Sequence, residues 1–312
     1  MKNRTENFEK TNFSIEEINK KILLNPQDLV NEDERAYHSQ IDEIVEDIIN
    51  NRKEVKLILL SGPSSAGKTT SSNLLNAKFL AHGIKTYVVS QDNFFVEAAK
   101  TPLLPDGSFD YENVTCVDME CFNHFLFELE NEKVAHMPIF DFVKKRRNDE
   151  FVPLEIDKNS IIIMEGIHAL NPILTQGFSG KTIAKIYIGL NSNYTYKDKI
   201  LIPAKTVRLM RRCLRDFYTR GHSISATLDM WKNVCDGENL YIKPFKTTAD
   251  YLLNSSHSYE AMLYAKFLKP LLENALSNPQ TEELIKMLEQ CEKLDSSLIP
   301  KNSLIQEFLA GN

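Results

Sequence analysis

The sequence predicts an α/β chain whose mostly parallel sheet is covered by helices on both faces, with helical extensions at either end. Three observations predict it. Short apolar runs rich in β-branched residues, "VKLILLSG", "KTYVVSQD", "SIIIMEG" and "AKIYIGL", are each bounded by turn signals. These runs alternate with stretches of helical periodicity, the pattern of strands joined by crossover helices. A glycine-bearing turn, Gly62–Thr69, joins the first run to the helix that follows it.

Within this frame, Ser14 and Glu17 have the spacing of a helix-capping box. "YHSQIDEIVEDIINN" (Tyr37–Asn51) repeats apolar residues at helical spacing, so residues 1–52 read as a helical lead-in. "KTTSSNLLNAKFLAHG" reads as a helix closed by Gly83. The last third is mainly helical, punctuated by Pro270 and Pro279, and "IPKNSLIQEFLAGN" is expected to pack back on the domain.

Composition narrows the class. The chain has 312 residues with a net charge of -6, which argues against a general nucleic-acid binder. No apolar run reaches membrane-spanning length, and the first residues lack the apolar core of a signal peptide. Five cysteines form no CxxC pair and leave an odd one over, as expected of a cytoplasmic protein. Cys116 and Cys121 lack further zinc ligands and read as structural thiols.

The strongest functional signal is "GPSSAGKT" (Gly62–Thr69), which matches G-x-x-x-x-G-K-[ST] between a strand and a helix. Gly62 and Gly67 let the backbone turn and approach phosphate. The N–H groups of residues 64–69, from Ser64, Ser65 and Ala66 on to Thr69, can then point inward as an anion nest at a helix N-terminus, with Pro63 and Thr70 at either end of the expected ATP-binding stretch. Lys68 suits the β- and γ-phosphates of ATP, and the Thr69 hydroxyl suits Mg²⁺. No Asn-Lys-x-Asp segment follows to read guanine, and no LSGGQ-like signature is present. A small-molecule kinase needs less: an acceptor-activating carboxylate, a carboxylate near the metal and a basic lid. Asp92 and Glu165 each end a strand, where the carboxyl edge of a parallel sheet faces a site. Arg208, Arg211, Arg212 and Arg215 share one helical face, and Arg220 follows before Gly221.

Five ordered motifs, "SGPSSAGKTT", "VVSQDNFF", "MPIFDF", "IIIMEGIHALNP" and "RRCLRDFYTRG", resemble the uridine kinase/phosphoribulokinase group of P-loop kinases from about Val55 to Pro270. "MWKNVCDGENLYIKPF", "ADYLLNSSHSYE" and the chain ending are similar to its bacterial uridine kinase-like branch. The resemblance implies a P-loop NTPase fold with an Arg-bearing helical lid. Its parts would be a helical N-terminal extension over 1–52, the kinase domain over 53–275 and a helical C-terminal extension over 276–312. It implies that Gly62–Thr70 bind ATP, that Asp92 is the general base, and that Lys68, Arg215 and Arg220 stabilise the transferring phosphoryl group. Thr69, Glu165 and Asp92 would face Mg²⁺.

Glu112 falls where the group places an aspartate on ribose hydroxyls, and Arg212 and Arg147 match basic residues near the acceptor. Phe140, Lys145 and Met230 stand where pyrimidine-nucleoside kinases carry base-reading tyrosine, histidine and glutamine. Lys145 and Arg147 would suit an anionic or hydroxyl-rich acceptor, whereas Lys144 and Arg146 read as solvated. His168 reads either as a phosphate or substrate contact or as a structural histidine, Trp231 as a packing residue, and Phe94 and Phe95 as packed behind the acceptor site. The expected partner is a small-molecule acceptor, with no nucleic acid and no membrane; a homo-oligomer stays open. So do a sugar, polyol, sugar phosphate or pantothenate-like acceptor, and a nucleotide-binding regulator without metabolite kinase activity.

Overall fold

The structure is a computed structural model describing residues 10–104, 107, 109–176, 180–275 and 278–309. The first nine residues of the expected N-terminal extension and the last three of the chain ending lie outside these.

The central sheet has five strands: β1 (Leu57–Ser61), β2 (Thr86–Ser90), β3 (Ile161–Glu165), β4 (Ile183–Gly189) and β5 (Tyr251–Asn254). Their spatial order is β2-β3-β1-β4-β5. Every neighbouring pair is parallel. The unbroken apolar run in β1 follows from burial on both faces. Leu57 and Leu59 join one core with Phe94, Phe122 and Phe125, while Ile58 and Leu60 join the other with Leu75 and Phe79.

Two helices, α1 (Ile15–Leu24) and α2 (Pro26–Asn51), precede the sheet. Ser14 caps α1, its Oγ accepting from Glu17 N at 3.2 Å. Helix α2 begins well before the apolar repeat at Tyr37. Its first turns face a polar network: Asp33 accepts from Ser258 N and Oγ, and Glu34 from Tyr259 Oη and Ser303 Oγ. Leu29 and Val30 are buried beside this network, which interrupts the hydrophobic spacing before Tyr37. The lead-in is also not wholly helical. Thr11–Ser14 is a strand, parallel to Ser192–Tyr196, which pairs antiparallel with Lys199–Ile202. Its partner lies far along the chain, so local pattern could not announce it.

After β1 comes α3 (Lys68–Ala81), linked to α2 through Tyr37 Oη and Ser71 Oγ at 2.6 Å. Helix α4 (Met119–Asn131) covers one face of the sheet, and α5 (Ala204–Arg220) packs on α6 (Ile224–Tyr241). Pro270 and Pro279 each open a short helix. Leu304, Ile305 and Phe308, in the chain ending, are fully buried. Among the described residues, no helix is long and apolar enough to cross a membrane.

Candidate active site

Because the sheet is parallel, the carboxyl ends of β1, β2 and β3 share one edge. Strand β1 delivers the Gly62–Thr69 loop, β2 delivers Asp92 two residues past its end, and β3 ends on Glu165. Ser90 and Glu165 are register partners in adjacent strands.

The loop is built for close approach. An added Cβ at Gly62 would fall 2.1 Å from Ile188 O, so glycine is required there by the neighbouring strand as well as by any phosphate. Gly67 has φ +88°, a left-handed conformation that glycine adopts freely, and forms the N-cap of α3. The first α3 residue whose N–H reaches back along the chain is Ser71, to Gly67 O at 3.0 Å, which leaves the earlier N–H groups facing the loop. Ser65 Oγ is buried with no hydrogen-bond partner among the described residues. Lys68 Nζ rests on the loop's own carbonyls, Gly62 O at 3.0 Å and Pro63 O at 3.3 Å. Unspent donors around a helix N-terminus fit a polyphosphate.

The arginine-rich helix α5 lies directly on this loop. Arg212 Nη1 donates to Ser64 Oγ at 2.8 Å, and Arg215 Nη2 to the same oxygen at 3.4 Å. Arg208 and Arg211 donate to the carbonyls of Ser64 and Ser65, both at 3.3 Å. The four arginines of one helical face thus have two fates. Arg208 is ion-paired with buried Glu238 and stacked on Trp231, and Arg211 is fully buried against Glu260. Arg212 and Arg215 stay beside the loop, and both are paired, as is Arg220, with the buried Asp216.

The electrostatics follow from crowding. Burial pushes the Lys68 amine below its ordinary range, and the Glu165 and Asp92 carboxylates pull it back. Burial raises Asp92, against the pull of Lys68 and Arg220. Glu165 and Glu112 are each pushed up to about 7 by burial, Lys68 opposing in both and Arg212 opposing at Glu112. Arg215 is lowered to about 10 by burial beside Arg220 and Arg212. Among the described residues, no group of three or more His, Cys, Asp or Glu side chains could hold a metal ion. Thr69, Glu165 and Asp92 are the expected set instead, and they suit Mg²⁺, which takes one or two carboxylates and completes its shell with phosphate and water.

The acceptor-side residues surround an aromatic wall. Phe140 is buried, packs edge-on to Phe95 at 6.0 Å, and Phe95 stacks on Tyr111 at 6.3 Å. Phe94 lies behind, against Phe122 and Phe125. Glu112 packs against Gly237 of α6, where an added Cβ would meet its Cβ at 2.4 Å. The basic stretch divides. Phe140–Asp141 pairs with Arg146–Arg147 in a hairpin. Lys145 Nζ lies over the Phe109 ring at 4.9 Å. Arg147 is held by Asp118 at 2.6 Å, and Lys144 by Asp141 at 3.1 Å. Arg147, expected beside the acceptor, is engaged by Asp118, the carboxylate that caps α4. His168 is fully buried, its imidazole pushed down to about 4 by burial, and its ring packs edge-on to Tyr241 at 5.9 Å.

Two carboxylates at the site escaped sequence reasoning. Asp216 lies four residues after Arg212 and four before Arg220, a spacing that could have flagged it as their shared partner. Glu307 reaches Thr70 from the far end of the chain, and no local pattern signals that.

Residues 57–260 match the model of the "Phosphoribulokinase / Uridine kinase family". A uridine kinase of Borrelia turicatae is 28% identical over 222 residues, covering 70% of this chain and 96% of that protein. A uridine kinase of Mycoplasma genitalium is 24% identical over 205 residues, covering 65% and 87%. Among solved structures, a Silicibacter sp. TM1040 kinase ascribed to a fructose transport system aligns with TM-score 0.50 at 18% identity, covering 69% of this chain and 98% of that one; it bears on the fold alone.

Proposed function

Since the chain belongs to the phosphoribulokinase/uridine kinase family, we propose that it transfers the γ-phosphoryl group of Mg²⁺–ATP to a hydroxyl of an uncharged, ring-bearing small molecule, a nucleoside before others. The observation that carries the acceptor class is the pairing of the basic rim. Arg147 and Lys144 are neutralised by Asp118 and Asp141, and Lys145 covers an aromatic ring. Among the described residues of this stretch, only the exposed Arg146 has neither an ion-pair nor a ring partner, so little of the rim's charge is left for a phosphorylated acceptor, while Phe95, Phe140 and the partly exposed Tyr111 make the neighbouring wall aromatic.

In this reading Asp92 takes the proton of the acceptor hydroxyl, its raised affinity for a proton bringing it nearer the working pH. Glu112 accepts from further acceptor hydroxyls. Lys68 leaves the loop carbonyls for the β- and γ-phosphates. Asp216 holds Arg212, Arg215 and Arg220 together at the loop, so that their charge is already aimed when the phosphoryl group moves. Bound Mg²⁺, held by Thr69, Glu165 and Asp92, would neutralise phosphate charge.

The test is ADP release from Mg²⁺–ATP across nucleosides, sugars, polyols, sugar phosphates and pantothenate. Turnover on a nucleoside is the expected result, with at least ~10²-fold lower kcat/KM on sugar phosphates, because an unpaired anion would be desolvated in the pocket. A preferred sugar phosphate would sink the uncharged-acceptor reading. ATP binding with no turnover on any acceptor would favour a regulator.

A pH dependence follows. Glu165 and Glu112 are protonated below about 7 and ionised above it. Since both proposed roles need the carboxylate, kcat/KM should climb by up to about a hundredfold per pH unit on the acid side, about tenfold for each group, and level off above 7. Excess Mg²⁺ should move that limb to lower pH by favouring the ionised Glu165. A profile flat from pH 5.5 to 8.5 would remove both roles.

A further inference from the structure

The segment Leu304–Phe308 crosses the phosphate loop from outside the sheet. An added Cβ at Gly67 would fall 2.4 Å from Leu304 Cδ1, so the segment touches the loop backbone itself. Three residues on, Glu307 Oε2 accepts from Thr70 Oγ1 at 2.7 Å. Thr70 is the third residue of α3, in the turn whose free N–H groups and positive dipole end attract anions. The Glu307 charge also acts on Lys68, Arg211 and Arg215.

We infer that Glu307 is a donor-site residue whose carboxylate competes with the donor's phosphates for the phosphate loop and so weakens the loop's grip on them. The inference rests on Gly62–Thr70 being the donor site and is independent of the acceptor.

The anchoring fixes how the competition works. Leu304, Ile305 and Phe308 are fully buried, and the Phe308 ring lies under the Arg211 guanidinium at 4.9 Å. Ser303 Oγ donates to Glu34 at 2.6 Å, and Gln306 Nε2 donates to Ile299 O at 3.2 Å and Pro300 O at 3.3 Å. Peeling off this segment would expose three large apolar side chains, so the backbone stays in place as donor binds. Glu307 is only partly buried, and its carboxylate can turn from Thr70 towards solvent. It differs from Asp216, which is fully buried and tied to three arginines. It differs too from Asp92 and Glu165, which sit at strand ends. Glu307 therefore offsets the loop's positive charge before donor arrives and opposes donor once it is there. Like charges a few ångströms apart at a protein surface repel appreciably, more so at low salt.

The test is calorimetric titration of the full-length protein and of Glu307→Gln with ADP and, separately, with inorganic tripolyphosphate, without acceptor, at low and high salt. Tripolyphosphate has neither sugar nor base, so it isolates the phosphate contribution. Glu307→Gln should bind both ligands about fivefold to tenfold more tightly at low salt, the gain shrinking at high salt. Glu307→Asp, which restores the charge, should fall back towards wild-type affinity. A purely structural role for the Thr70 contact would give neither the salt dependence nor the charge rescue. If Glu307→Gln melts early, Glu307→Ala at lower temperature is read by the same criterion. Equal or weaker binding of both ligands by the neutral variants overturns the inference, while wild-type binding leaves the donor site standing. No binding of either ligand by any form overturns the donor site and the inference together.

Discussion

Asp92→Asn is expected to lower turnover at least ~10²-fold while leaving ATP affinity near that of wild type. The amide keeps the size of the side chain and removes its capacity to take a proton. Among the described residues, Asp92 makes no hydrogen bond or ion pair with the Gly62–Thr69 loop; what reaches it is the charge of Lys68 and Arg220. Removing one negative charge beside Lys68 should, if anything, hold an anionic donor slightly more firmly. The two readouts therefore separate: initial rates with saturating acceptor fall, and nucleotide titration does not. A variant that turns over normally would take the general-base role from Asp92. One that loses nucleotide binding and activity together would make holding the metal or the site, and not taking the proton, its main role. Lys68→Ala is the complementary control. Its amine is the loop's own cation, so both readouts should collapse if Gly62–Thr70 holds the donor.

The largest expected loss of stability comes from Glu260→Ala, about 3–5 kcal/mol. Glu260 Oε2 accepts from Arg211 Nε at 2.8 Å and Oε1 from Nη2 at 2.6 Å, and neither side chain is exposed. The same carboxylate accepts from Tyr264 Oη at 2.8 Å and from His257 N at 2.9 Å. Truncation would leave a buried guanidinium facing the carbonyls of Ser65 and Ser255 without its counter-ion, and two further donors unpaired. The loss is measured as the unfolding free energy in urea. A change below about 1 kcal/mol would mean that water or rearrangement compensates Arg211. Because Arg211 also donates to Ser65 O, the variant should loosen the phosphate loop and weaken nucleotide binding as well.

Much of the fold was open to reading because its signals are local. The strands around Ile58 and Ile163 announce themselves as apolar runs because both faces of the sheet are covered. The phosphate loop is legible because a tight turn into a helix needs glycine at Gly67 and anion chemistry needs Lys68 next to it. Asp92 and Glu165 could be assigned to one edge as soon as the sheet was taken to be parallel, since that topology gathers strand ends. The start of α2 was harder to read because Asp33 and Glu34, engaged in a polar network, interrupt the hydrophobic stripe between the buried Leu29 and Val30 and the repeat at Tyr37.

What the sequence determined by itself was the parallel sheet, the glycine-bearing turn into α3 at Gly62–Thr69 and the pair of strand-end carboxylates, all products of contacts within a few residues or of one topological rule. Only the tertiary structure decided which charges are free. Arg208, Arg211, Arg212 and Arg215 are equivalent by spacing, yet Glu238 and Glu260 bury two of them while Asp216 leaves two at the loop. Arg147 and Lys144 look available in "MPIFDFVKKRR" until Asp118 and Asp141 take them up. Glu307 acquires a place beside the Gly62–Thr69 loop because the chain folds back across 237 positions to reach Thr70. A charge depends on partners that are distant in sequence, and desolvation makes those partners decisive, so no local pattern can state which cation remains for a substrate.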